Sequence, residues 1–168
     1  MARVLLLLLC TVLASCATGR VAGGSKQVPT NARLAALFEA DQAARGAGTI
    51  DWEEVSKRDQ ARRTEVLSII KGGELHTAAD YYHAAMVLQH GESSSNLRVA
   101  SSVACLGSVL DPNDKDIRWL SAVAWDRFLI RKNMPQRYGT QYSRPVAGAP
   151  GSCTRLMNRR SPMKSEGV

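Results

Sequence analysis

The sequence predicts an all-α protein: a single small bundle of about five antiparallel helices. Three observations predict it. Apolar residues recur at helical spacing from residue 31 to about 133. The stretches between these periodic segments run to about 2–8 residues, the usual length of a connection between antiparallel helix neighbours. No segment alternates apolar and polar residues as a half-buried strand does. Composition agrees. Of 168 residues 45% are hydrophobic, 22% charged and 5% aromatic, which fits one globular domain and excludes collagen, a disordered chain and a polytopic membrane protein.

The elements follow in order. Ala32 to Arg45 places Leu34, Leu37, Phe38 and Asp41 at helical spacing, and Gly46 and Gly48 end it. Asp51, with Glu54 three residues on, reads as a capping box for a second helix running through Val55, Arg62, Val66 and Ile70 to Gly72-Gly73. Thr77 and Asp80 read as another, opening a third helix that ends at Gly91. Ser94 or Ser95 opens the fourth, which runs to about Leu110 before the turn Asp111-Pro112-Asn113. The fifth runs from about Asp114 to Lys132 and stops before Pro135. Residues 79–113 resemble one tetratricopeptide-type helix pair, with Ala84, Ala85, Ala100 and Ala104 where the helices touch. No second copy follows, so the likeness is one of packing style.

The chain ends carry different information. Residues 1–15 read as a lipoprotein signal peptide. Arg3 is the positive start, and Val4 to Ala14 is an apolar run too short to span a bilayer, which takes about 20 helical residues. Leu13-Ala14-Ser15-Cys16 resembles the bacterial lipobox. That resemblance implies cleavage before Cys16, acylation of Cys16 (palmitate or a similar chain) and attachment to the cell envelope. With Ala17 after the cysteine it implies the periplasmic face of the outer membrane in a Gram-negative cell. Residues 16–30 are Gly-rich and polar and read as a flexible tether, 31–142 as the helical domain, and 143–168 as a disordered basic tail. An oxidising compartment permits a Cys105–Cys153 bridge, whereas the spacing of the two argues for free thiols.

The net charge of +7 lies outside the folding part. Residues 31–142 hold 14 basic and 14 acidic residues. The domain is neutral, so no nucleic-acid face is expected.

Several polar residues exceed what a simple bundle needs. On the fifth helix Asp126 shares a side with Trp119, Ala122, Val123, Leu129 and Ile130, while Trp125 and Phe128 lie opposite. An element apolar nearly all round is expected to be central. A carboxylate there needs a partner, and Arg45 and Arg62 are the candidates. Asp41 and Arg45 lie one turn apart, as do Asp59 and Arg62. His83 and His90 are two turns apart, about 10.5 Å, too far to share one metal ion. With no HExxH or CxxC, neither a metal nor a cofactor is expected. His90 ends a helix, where it either caps the terminus or serves in general acid/base chemistry. Cys105 has no neighbour that would lower its pKa. Pro135 to Gln141 is a loop dense in hydrogen-bonding groups, with Gly139 permitting a tight turn.

Asp41-Gln42-x-x-Arg45, Asp59-x-x-Arg62, Gln89-His90, Asp126-Arg127 and Pro135-Gln136-x-Tyr138-Gly139-Thr140-Gln141 occur in this order. Together they resemble the bacterial domain-of-unknown-function family 6624 over residues of about 35–142. The resemblance implies a helical domain whose motif residues, the tail of the motif included, converge on one site; it brings no activity. It also implies that the chain is cut short or frame-shifted after about Tyr142, where the family continues in order. Two functions follow as expectations. One is a lipid-anchored binding protein for an unknown ligand or protein partner, built round the Asp/Arg/Gln/His cluster. The other is a hydrolase-like enzyme using His90 and Asp126.

Overall fold

A computed structural model describes residues 28–46, 48–143 and 154–155. The expected signal peptide, Cys16, the expected tether before residue 28, Cys153 and most of the basic C-terminal segment lie outside the described residues. The fold is an all-α bundle of five helices: α1 Ala32–Gly46, α2 Trp52–Lys71, α3 Ala78–Gln89, α4 Ser94–Leu110 and α5 Lys115–Arg131. A two-residue antiparallel pairing, β1 Tyr142–Ser143 with β2 Thr154–Arg155, follows them.

Side-chain caps start the helices. Asp51 accepts from the Glu53 and Glu54 amides at the head of α2. The expected reciprocal bond from Glu54 is not made; that carboxylate pairs with Arg58 at 2.9 Å instead. At α3 the Thr77–Asp80 capping box is complete. Asp80 also accepts from the Asn31 amide at 2.8 Å and the His76 amide at 3.0 Å, so one buried carboxylate ties the start of α1 to the start of α3. Ser93 caps α4 and Asp114 caps α5.

The helix at the centre is α3, not α5. It packs against all four others, whereas α5 touches α4 and α3. Trp119, expected on the buried side of α5, is 59% exposed. The reason lies in side-chain size. Ala84 and Ala85 on α3 and Ala100 and Ala104 on α4 are fully buried, and they let those two helices approach closely. The core around them is Leu34, Val66, Ile69, Val87, Leu88, Val103, Ile117, Leu120 and Ala124. Each fully buried large apolar side chain contributes about 1.5–3 kcal/mol. A β-carbon on Gly107 would overlap Ile117 Cδ1 and Tyr81 Cβ, so glycine is what permits α4 to seat between α3 and α5. Among the described residues no helix is long and apolar enough to cross a membrane.

Candidate functional site

Where α1 crosses α2, two buried carboxylates meet a group of guanidiniums. Asp41 is 1% and Asp59 5% exposed. One helical turn carries Arg45 back onto Asp41, with Nη1 donating to Oδ1 at 2.9 Å and to the Asp41 carbonyl at 2.9 Å. The same guanidinium bridges to α2, where its Nη2 donates to Asp59 Oδ2. Arg62 adds a bond to Asp59 Oδ1 at 2.6 Å, and Arg63 Nη1 lies 3.9 Å from Oδ2. Burial opposes ionisation of Asp59. The hydrogen bonds and charges of Arg45 and Arg62 outweigh it and hold its carboxyl below the ordinary aspartate range.

The end of α3 completes the group. His90 is the C-cap residue, and its Nδ1 sits 2.9 Å from Asp41 Oδ2, an oxygen that also accepts from Gln42 Nε2 at 2.9 Å. A carboxylate only accepts, so Nδ1 carries a proton in this contact. Gly91 keeps the turn thin: a β-carbon there would come within 3.0 Å of Arg63 Cδ. Arg45, Trp52, Asp59, Arg63, His90 and Glu92 are among the residues that line a mainly polar cleft of about 240 Å³. Beside it, Arg127 Nη1 on α5 donates to Gln89 Oε1 at 3.4 Å. Burial, then the charges of Arg131 and Arg45, lower the Arg127 pKa, and Glu92 works the other way.

Asp126 belongs to a different network, and its predicted arginine partner is a misassignment. It is fully buried. Oδ1 accepts from the Arg137 amide at 2.7 Å and the Tyr138 amide at 3.0 Å. Oδ2 accepts from the Thr140 amide at 2.8 Å and its hydroxyl at 3.0 Å. Burial again opposes the charge, and these bonds overcome it, keeping the carboxyl below its ordinary range. Gly139, at φ 71°, makes the reversal that aims those amides at one carboxylate. Gln136 closes the loop, donating to the Gln141 carbonyl at 2.9 Å and accepting from the Gln141 amide at 2.8 Å. Gln141 Nε2 also reaches Thr140 Oγ1 at 3.1 Å.

The predicted residues therefore divide. Asp41, Gln42, Arg45, Asp59, Arg62 and His90 come together, with Gln89 and Arg127 alongside. Asp126, Gln136, Gly139, Thr140 and Gln141 build a clasp that holds the loop to α5, and the Tyr138 side chain points outward at 57% exposure. The hydrogen bonds of Asp126 and His90 run to different partners, so the pairing that the hydrolase expectation required is not formed. Sequence reasoning missed Arg63 and Trp52. Arg63 follows Asp59 by four residues, a spacing that could have flagged it; Trp52 gave no signal.

A second groove of about 440 Å³ runs between α4 and α5, lined by Ser101, Ser102, Cys105, Leu106, Trp125 and Tyr138. Cys105 is an exposed free thiol. His83 stacks on Phe38, with centroids 4.4 Å apart, and burial lowers its pKa.

A scan against protein-family models found no match, and searches of curated proteins and of solved structures likewise found none.

Proposed function

We propose that the chain is an exported lipoprotein, anchored through Cys16, whose helical domain binds a small charged ligand or a partner's charged group in the cleft between α1, α2 and the end of α3. One observation carries this reading. Arg45, Asp59, Arg63 and His90, drawn from three elements, line one open polar cleft, with Asp41 buried behind Arg45 and His90. A bundle that needs only helix register is served by a single buried ion pair. Gathering three guanidiniums and an imidazole on two carboxylates beside a concave opening is the chemistry of recognition. The likeness to family 6624 supports grouping these residues and adds no activity.

The binding reading is tested by a thermal-shift screen of small charged metabolites with the full chain. A ligand at a hundred times its Kd adds about 2.7 kcal/mol of stability. The expected result is a Tm rise in the wild type that is lost in Arg63→Ala, which leaves the closer Asp59 partners in place. No rise, or the same rise in both, overturns it. For the anchor, Cys16→Ser is expected to abolish acyl labelling and membrane association; a variant that stays in the membrane fraction overturns the anchor.

A second reading, a hydrolase-like enzyme, draws on the Asp41–His90 contact of 2.9 Å, in which Asp41 orients the imidazole. Turnover of an ester or amide substrate that disappears in His90→Gln while binding persists would favour it.

A further inference from the structure

Arg63 in the cleft and Arg127 beside it make no close ion pair among the described residues. Arg63 has a side chain 15% exposed; among the described residues Asp59, at 3.9 Å, is the one carboxylate within 4.0 Å of it, and Glu92 lines the same cleft. Arg127 is mostly buried, and among the described residues its one hydrogen bond is a long one, 3.4 Å, to the neutral amide oxygen of Gln89. Both sit at the turn that ends α3: Arg127 reaches Gln89, and Arg63 lies against Gly91. Arg45, from α1, adds a third positive charge close enough to weigh on Arg127.

The charges do not balance. Arg45, Arg62 and Arg63 gather on Asp41 and Asp59, and Arg127 adds its charge beside them. With Arg131 and Glu92 offsetting each other, the four other arginines exceed the two aspartates by two positive charges. Mostly buried cations without counter-ions are costly. A stable fold has no use for such a surplus, and a ligand of opposite charge removes it. A phosphate monoester carries about −1.5 to −2 at neutral pH, which matches the surplus; a single carboxylate leaves half of it. Guanidiniums arriving from different helices also suit a tetrahedral group with several acceptor oxygens better than a planar one, which a single fork satisfies.

Building on the cleft reading above, we propose that Arg63 and Arg127, with His90 between them in the chain fold, receive a phosphate dianion. It is inorganic phosphate, a soluble phosphomonoester or a monoester lipid headgroup. The test uses the full chain in detergent and three probes: inorganic phosphate followed by ³¹P NMR, glycerol phosphate, and vesicles of phosphatidic acid compared with phosphatidylglycerol. Acetate is the monoanion control. In the arm that binds, Arg63→Met and Arg127→Met are each expected to weaken affinity by about tenfold or more, the loss of a charge-assisted bond. Free Arg127→Met is expected to melt at the same temperature as wild type or higher, because it removes a mostly buried cation that makes no close ion pair among the described residues. A structural arginine would give the opposite sign.

Binding of the soluble probes but not the vesicles assigns a soluble ligand; preference for phosphatidic acid assigns a headgroup. Three results overturn the proposal: no Arg127-dependent binding in any arm, acetate binding as tightly as phosphate, or a lower Tm for free Arg127→Met. If these appear while a metabolite still shifts the wild type in an Arg63-dependent way, the phosphate assignment fails and the cleft reading stands. If the metabolite screen is also silent, both fail.

Discussion

At the scale of single residues, Asp126 shows how a buried carboxylate is satisfied without a cation. Three amides and a hydroxyl from one loop occupy both its oxygens. Asp126→Asn keeps the shape but presents an amide nitrogen where an acceptor is needed. The expected cost is about 2–3 kcal/mol by urea denaturation. Tyr138→Ala in the same loop is expected to stay within about 0.5 kcal/mol, because that side chain is exposed. The contrast separates the clasp from its decoration. Across the bundle, Arg45 spans Asp41 and Asp59, and Arg45→Ala would leave both with reduced cover; about 3–5 kcal/mol is expected from the same measurement. The one-turn pairs Asp41–Arg45 and Asp59–Arg62 were legible, since local spacing fixes which side chains share a helical face. Their meeting was not, because the Arg45–Asp59 and Asp41–His90 contacts join residues 14 and 49 apart in the chain. The partners of Asp126 were hidden for another reason: backbone amides have no letter in the sequence, and Gly139 alone hinted at the turn.

At the scale of elements, caps and small residues decide the arrangement. Five helices and their order were readable from periodicity and from Asp51, Thr77 and Asp114. Which helix is central was not. Apolar residues all round α5 suggested it, yet alanines set how closely helices pack, and these put α3 inside. Gly107→Ala is expected to cost about 1–3 kcal/mol, because α4 must shift away from Tyr81 and Ile117 to house the methyl group. Thr77→Ala removes one capping bond and is expected to cost about 1 kcal/mol. Asp80→Ala is expected to cost more than Thr77→Ala, since it also frees the Asn31 and His76 amides. Chemical denaturation of the three variants checks that order.

At the scale of the whole molecule, the buried acids and His83 make stability depend on pH in one direction. Asp59, Asp80 and Asp126 have folded pKa values below their ordinary ones. Their contributions are full above the unfolded value of about 3.9 and are lost as pH falls through the lower folded values. The folded pKa of His83 is also lowered, by burial, so the unfolded chain takes up that proton first. A penalty therefore grows as pH falls from about 6.5 toward the folded value. Tm followed by circular dichroism is expected to decline in two stages on acidification, and His83→Phe, which keeps a ring against Phe38, is expected to remove the first.

The placement of the tryptophans gives this protein a built-in optical reporter. Trp52 lies at the mouth of the polar cleft, 64% exposed, while Trp125 lines the groove between α4 and α5 and Trp119 stands on the outer surface of α5. An indole at that mouth changes its emission when a solute settles beside it, so occupancy can be read without a label. Trp52→Phe should silence that signal and leave the light from the other two indoles unaltered.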